Sequence, residues 1–355
     1  MSSIEWLSSS QTFMVGSARK EYIISAVDRD DPITPKDNRA KPHSTNGSMS
    51  IQPVEVDGGM LYAQRLGYKM LMLYYQYMDD AYDSSDANRL APHMFKYPAV
   101  DMSKQGTPET IVWVTRTDGT LAIFRYSKDE EIAAWARVVT GSELDIAAHA
   151  FISTTVVAGT TEDRIWTIVE RIVDGQTYYY VERFADRNYD SLADAMYLDC
   201  SVKVISDSEG TLNRLYYLEG FTVTVMDGFT KIGEYIISGG QITGLTADTE
   251  YVVGLPYICR MRTMAFAMPG VVTEGSIKRV LGILIRSVRT RGGSAGAESH
   301  GSTNTVDLDI EYSLQASDVE AFAESGFTKE SRIVLDFSEP YPATVLAIVF
   351  EVEMT

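Results

Sequence analysis

The amino-acid sequence predicts a mainly β fold: a propeller-like array of β-hairpin blades, then a small β-barrel or sandwich, then a C-terminal β domain. Three observations carry this. The segment Ile111–Tyr126, IVWVTRTDGTLAIFRY, sets Asp118-Gly119 between two runs of β-branched and aromatic residues. Asp-Gly in that setting signals a hairpin, because both residues tolerate positive φ. The pattern recurs in Ile165–Phe184 around Asp174-Gly175, in Met60–Tyr75 around Gly67 and, more weakly, in Phe13–Ile24. A period of about 50 residues falls in the range of propeller blades. Finally, 21 tyrosines and 26 glycines lean towards strands and turns.

Taken in order, residues 1–199 form the repeat region, 200–257 a small β domain and 258–355 the C-terminal β domain. Asp28–Met49 is polar and broken by three prolines, which predicts a long loop, and Asp79–Asn88 reads as a flexible acidic connection. Asp129–Val139 has the propensity of a helix. Its place directly after a hairpin, with alternation around Trp135, favours a strand. Ala147–Val157 reads as the inner strand of the next blade, and Asp186–Asp199 as a connector with a helical turn. Short strands follow at Ser201–Ile205, Thr222–Met226, Glu234–Ser238 and Tyr251–Val253, separated by Gly-containing turns. The last region holds an apolar strand Lys278–Val288, a loop Arg289–Thr305 expected to be ordered only against a partner, and strands at Val306–Leu314, Ser331–Phe337 and Thr344–Val352. Ser317–Glu324 reads as a short helix with Ser317 as N-cap.

The net charge is −18, from 49 acidic and 31 basic residues. That balance argues against gripping nucleic acid through its phosphates, though not against a surface past which nucleic acid slides. Two cysteines, Cys200 and Cys259, are too few for a zinc site and read as reduced, buried thiols of a protein made in the cytoplasm. No basic n-region, apolar h-region or long apolar window predicts secretion or membrane insertion.

The sequence nominates no catalytic, cofactor or metal residue. Gly292-Gly293-Ser294-Ala295-Gly296 matches the G-x-S-x-G form of a nucleophile elbow, with His300 nearby, but the following AESHGSTNT is not a helix, and the elbow requires one. Asp307, Asp309 and Glu311 alternate as on one strand face and read as solvated rather than metal-binding. His43, His93 and His149 are scattered. Arg65, Arg116 and Arg171 recur at the end of the first hairpin strand; such a repeat either lines a channel or binds an acidic partner or, the favoured reading, pairs each arginine with a carboxylate of the adjacent blade.

The run IVWVTRTDGTLAIFRYSKDEEIAAWARV, continuing through TTEDRIWTIVERIVDGQTYYYVERF, resembles the tail stabilisation or nozzle proteins of short-tailed bacteriophages. FMVGSARKEYIIS, DPITP, SIQPVEVDGGMLYAQRLGYKMLMLYY and LAPHMF are similar to the same family. LEGFTVTVMDG through ISGGQITGLTADTEYVVGLPY is similar to the small β domain named after the first catalytic-cysteine half-domain of ubiquitin-activating enzymes, a likeness of fold and not of activity. Members of the nozzle family are commonly longer, so the resemblance implies a chain that begins within the array. It further implies a structural virion protein without enzymatic activity, assembled in the host cytoplasm. The subunits would form a ring, a hexamer in this family, around the channel through which DNA passes without specific binding. The ring would dock neighbouring tail, adaptor and fibre proteins. The alternative is a carbohydrate- or receptor-binding tail module, with or without depolymerising activity, supported by the tyrosine-rich strand at Tyr178–Tyr180.

Overall fold

The computed structural model describes residues 2–10, 12–27, 31–79, 81–141, 149–187, 191–266, 276–299, 302–321 and 326–354. The chain is divided into two compact units, Met1–Thr140 with Asp145–Asn188, and Gly141–Leu144 with Tyr189–Thr355.

The first unit is a propeller-like array of four antiparallel blades. Blade 1 contains β1 (Ile4–Ser9), β2 (Phe13–Ser17), β3 (Glu21–Ser25) and β4 (Arg39–Ser44). Blade 2 contains β5 (Val54–Val56), β6 (Gly59–Ala63), β7 (Met70–Gln76) and β8 (Ala81–Asp86). Blade 3 contains β9 (Ala99–Gln105), β10 (Ile111–Arg116), β11 (Leu121–Ser127) and β12 (Ile132–Val138). Blade 4 contains β13 (His149–Val157), β14 (Arg164–Val173) and β15 (Gln176–Arg183). The four sequence repeats are the second and third strands of the four blades.

Two segments expected as loops hold fourth strands instead. β4 lies within Asp28–Met49 and β8 within Asp79–Asn88. Both are edge strands with largely exposed or half-exposed side chains, and such a strand needs no apolar alternation. β4 even accommodates Pro42, which an edge position permits. At Asp129–Val139 the strand reading holds, as β12. Trp135 stacks on Phe124 with centroids 4.4 Å apart, and its Nε1 donates to the Ala87 carbonyl at 2.9 Å. Tertiary contact there overrides helix propensity.

The cores of this unit lie between blades. Met60, Tyr62, Leu71 and Leu73 of blade 2 pack on Trp6, Met14 and Ile23 of blade 1. The intervening residues Leu61, Ala63, Met70 and Met72 face Val112, Val114, Ala122 and Phe124 of blade 3. The opposite face of blade 3, with Ile111, Trp113 and Leu121, meets Phe151, Ile165 and Val169 of blade 4. A strand buried on both faces reads as a continuous apolar run, which is why MLYA and MLML show no alternation. Each such buried side chain contributes about 1.5–3 kcal/mol.

In the second unit β16 (Asp199–Ile205), β17 (Thr222–Asp227), β18 (Thr230–Ile236) and β19 (Glu250–Leu255) form a sheet of order β16-β19-β17-β18 over Leu212, Leu218, Val223, Val225 and Val253. Two further sheets share a core that includes Val280, Ile283, Ile285, Ala295, Ala297 and Leu335. One sheet joins β20 (Arg260–Arg262), β25 (Arg332–Asp336), β22 (Ser294–Ser299) and β23 (Ser302–Asp307). The other joins β24 (Ser317–Ala321), β21 (Lys278–Ser287) and β26 (Val345–Met354).

Three expectations are corrected in this unit. The Arg289–Thr305 loop contains β22 and most of β23, because small residues at Ala295 and Ala297 fit the core where a strand passes close. Val306–Leu314 leaves the strand after Asp307, although Leu308 and Ile310 remain buried. Ser317–Glu324 is strand as far as Ala321, since Val319 and Ala321 pair with Ile285 and Ile283 of β21 and complete that sheet.

Candidate functional site

The residues singled out in the sequence do not converge. Ser294 opens β22 and is paired to Asp307 and Asp336, so the G-x-S-x-G match leads into a strand and not a helix. Gly293, at φ +99°, is required because a Cβ there would strike the Phe337 ring. His300 lies outside the described residues. Asp309 and Glu311 are exposed beside buried Leu308 and Ile310. Among the described residues no cluster of His, Cys, Asp and Glu could hold a metal ion. His43 accepts from the Tyr82 amide at 3.3 Å, and partial burial, then Lys41, lowers its pKa. His93 lies in a 3-10 turn, Pro92–Phe95. Cys200 and Cys259 form no disulfide, but Cys200 is half-buried and Cys259 exposed, which corrects the expectation of two buried thiols.

The recurrent arginines separate into two kinds. Arg65 is exposed. Arg116 is buried and pairs with Asp118 of its own turn at 3.2 Å, while its guanidinium also donates to Thr120 Oγ1 and the Met94 carbonyl. Burial lowers its pKa and the Asp118 charge opposes that shift. Arg171, fully buried on β14, forks onto Glu182 with two contacts of 2.7 Å and also reaches His149 Nδ1 at 3.1 Å and Thr140 Oγ1 at 3.0 Å. These pairs lie within a blade, not across to the next one. Each carries a charge into a core whose turns need a fixed donor, and a fork geometry suits that task.

Arg116, Asp118, His149 and Glu170 line a shallow cleft of about 450 Å³ where the Asp118-Gly119 turn meets blade 4. A second cleft of about 460 Å³, in the other unit, is lined by Arg262, Glu298, Ile277 and Phe327, with Arg262 held to Glu298 at 2.6 Å.

The surface feature that stands out is the hairpin β14–β15. Its face away from blade 3 carries Ile168, Glu170, Ile172, Tyr179 and Val181, with Ile168 opposite Val181 and Glu170 opposite Tyr179. Tyr179 is 63% and Val181 71% exposed. A hydrogen bond to Glu170 and that carboxylate's charge raise the Tyr179 pKa. The alternation that marks this as a two-sided strand was present in the sequence. What was missing was any sign that one side stays uncovered.

No family model and no curated protein matches this chain. Solved structures do. An exo-β-1,3-galactanase from Phanerochaete chrysosporium, with β-1,3-galactotriose, is 11% identical, covers 96% of this chain and 78% of its own, and has a TM-score of 0.29. The same enzyme with galactose gives 10% identity, the same coverage and a TM-score of 0.22. A bifunctional GH43-CE protein of Bacteroides eggerthii gives 9%, 98% and 62% coverage, and 0.27. Values in this range describe a likeness between β-rich chains and not a shared site. The solved structures are enzymes by name, and the expectation of a chain without enzymatic activity is withdrawn.

Proposed function

We propose that this chain is a structural subunit of a phage tail, of the nozzle or tube kind, that surrounds the path of the genome and binds other tail proteins. The observation that carries this is where the family-like segments fall. FMVGSARKEYIIS spans β2–β3, MLYAQRLGYKMLMLYY spans β6–β7, the two longest runs span β10–β12 and β14–β15, and LEGFTVTVMDG spans β17. The resemblance thus follows the blades and the first sheet of the second unit instead of one loop. The net charge of −18 suits a lumen from which DNA is repelled. Antibody against the purified chain, imaged on intact virions, is expected to decorate the tail below the head. Virions left unlabelled, with the chain absent from their protein content, would refute the assignment.

A second reading, recognition of host carbohydrate or a receptor, has its own observation. Tyr178 and Tyr179 stand exposed on β15, and an amphipathic ring beside a carboxylate such as Glu170 suits a sugar face. Incubation with host polysaccharide tests it: this reading requires binding or released reducing ends, and loss of both in Tyr179→Ala.

A further inference from the structure

The three internal junctions of the array share one backbone arrangement. A residue at the entry to each new blade donates its N–H to the inner hairpin of the blade before. Ser48 N–H donates to the Ser17 carbonyl at 2.8 Å, Ala99 N–H to Gly67 at 3.0 Å, and Phe151 N–H to Gly119 at 2.8 Å. In blades 2 and 3 the preceding residue, Gly47 or Pro98, accepts from its own blade's turn, at Arg65 N–H and Thr117 N–H. Behind each of these hydrogen bonds the two facing blades bury apolar side chains.

Blade 1 carries the same donor arrangement. Ser3 accepts from the Ala18 N–H at 3.2 Å, which places Ile4 at the position of Ser48 and Ala99. Ile4 is 64% and Leu7 48% exposed on the face of blade 1 turned away from Trp6 and blade 2, where Val15, opposite Leu7, is already buried. Blade 4 carries the acceptor arrangement. Its turn, Asp174-Gly175, has nothing within 4 Å of where a Gly175 Cβ would sit, whereas at Gly119 that place is filled by Ala150 of the following blade. The face beside this turn is Ile168, Ile172, Tyr179 and Val181. In blade 3 the corresponding strand residue Trp113 is 7% exposed because blade 4 covers it.

We infer that the open face of blade 4 is a docking surface for blade 1 of a second copy of this chain, joined head to tail with the Ile4 N–H donating to the Gly175 carbonyl. The interface is heterologous, so it closes into a ring or continues as a filament, depending on the rotation per copy. It rests on the same geometry that joins blades 1 to 4, and it gives the ring of the proposed tail function a specific contact.

The test uses the 355-residue chain and two single substitutions at exposed positions, Val181→Glu on the acceptor face and Leu7→Glu on the donor face. A charge placed in the apolar junction weakens association by about 100-fold or more. Sedimentation equilibrium is expected to show oligomers larger than a dimer for the wild type and monomers for each variant. Mixed, the two variants are expected to give one-to-one dimers that grow no further, because the mixture retains one intact donor face and one intact acceptor face. Unimpaired assembly by either variant, or a mixture that stays monomeric while the wild type assembles, overturns this interface and leaves the tail assignment standing. A wild type that stays monomeric across the accessible concentration range also overturns it. The tail assignment is decided separately by labelling virions.

Discussion

Gly119 and Gly175 form a matched pair that isolates the packing between blades from the conformational demand of a turn. Both have φ near +75°, at +75° and +72°. Alanine at either site therefore incurs the left-handed penalty of about 1–2 kcal/mol, reduced equally by the stiffer unfolded chain. The surroundings differ. At Gly119 the new methyl would lie 2.6 Å from Ala150 Cβ and 3.0 Å from its Cα, whereas at Gly175 it meets nothing within 4 Å. Since Ala150 Cα is backbone held by the Phe151–Gly119 hydrogen bond, the clash is relieved only by separating blades 3 and 4. Overpacking of this kind costs about 1–3 kcal/mol, so Gly119→Ala is expected to lose that much more than Gly175→Ala. All four tryptophans, Trp6, Trp113, Trp135 and Trp166, lie in the first unit. Urea unfolding followed by tryptophan fluorescence at high dilution therefore reports that unit alone. Equal losses for the two variants, within about 0.5 kcal/mol, would show that the turn of blade 3 does not abut blade 4 as described.

Arg171→Ala removes a fully buried guanidinium and both of its 2.7 Å contacts to Glu182 and is expected to cost about 3–5 kcal/mol. The same fluorescence measurement reads it, and a loss under 1 kcal/mol would mark the fork as incidental. Asp207 has its carboxyl held below its ordinary value, chiefly by the Thr211 amide and then by Glu209 and Asn213. A depressed carboxyl pKa stabilises the fold above the ordinary value of 3.8 and loses that effect as pH falls through the folded value. The gap in unfolding temperature between wild type and Asp207→Asn at pH 7, read by near-ultraviolet dichroism, is therefore expected to close in strong acid. Burial, and then the Cys259 charge, push the Tyr257 phenol up to about 12. Stability tied to that proton is fully present below the ordinary value of 10.0 and is lost as pH rises towards about 12. Absorbance titration of Tyr257→Phe should lack a late-ionising tyrosine, and an unchanged late step would contradict the assignment.

The parts of the fold legible in the sequence were those where local chemistry and tertiary contact agree. Asp118-Gly119 and Asp174-Gly175 made hairpins because the turn itself demands those residues. The misses fall where local signals are silent or misleading. β4 and β8 are polar edge strands, indistinguishable from loops until a neighbour pairs with them. β22 is built from Gly, Ala and Ser with one Glu, close to the composition of a linker, yet its alanines are what the core admits. Ser317–Glu324 reads as a capped helix, yet β21 claims Ser317–Ala321 as a strand. The candidate surface was half legible: Tyr178–Tyr180 marked the strand, but aromatic residues of a covered blade look the same. The arginine repeat was visible as spacing, while its partners, Asp118 and Glu182 within the same blades, depended on turn geometry that spacing does not encode.

The placement of the apolar clusters between blades, not inside them, has a thermodynamic consequence. Each apolar cluster joins two adjacent blades, so the energy of this unit is close to a sum over nearest-neighbour terms. Among the described residues, blades 2 and 3 share apolar clusters with two neighbours, and blades 1 and 4 with one. Resistance to amide exchange should therefore peak in β6, β7, β10 and β11 and decline outward, as it does at the ends of a linear chain of coupled states. Such a chain gains cooperativity at its ends when something is added there, so the terminal blades have the most to gain in rigidity from an assembly.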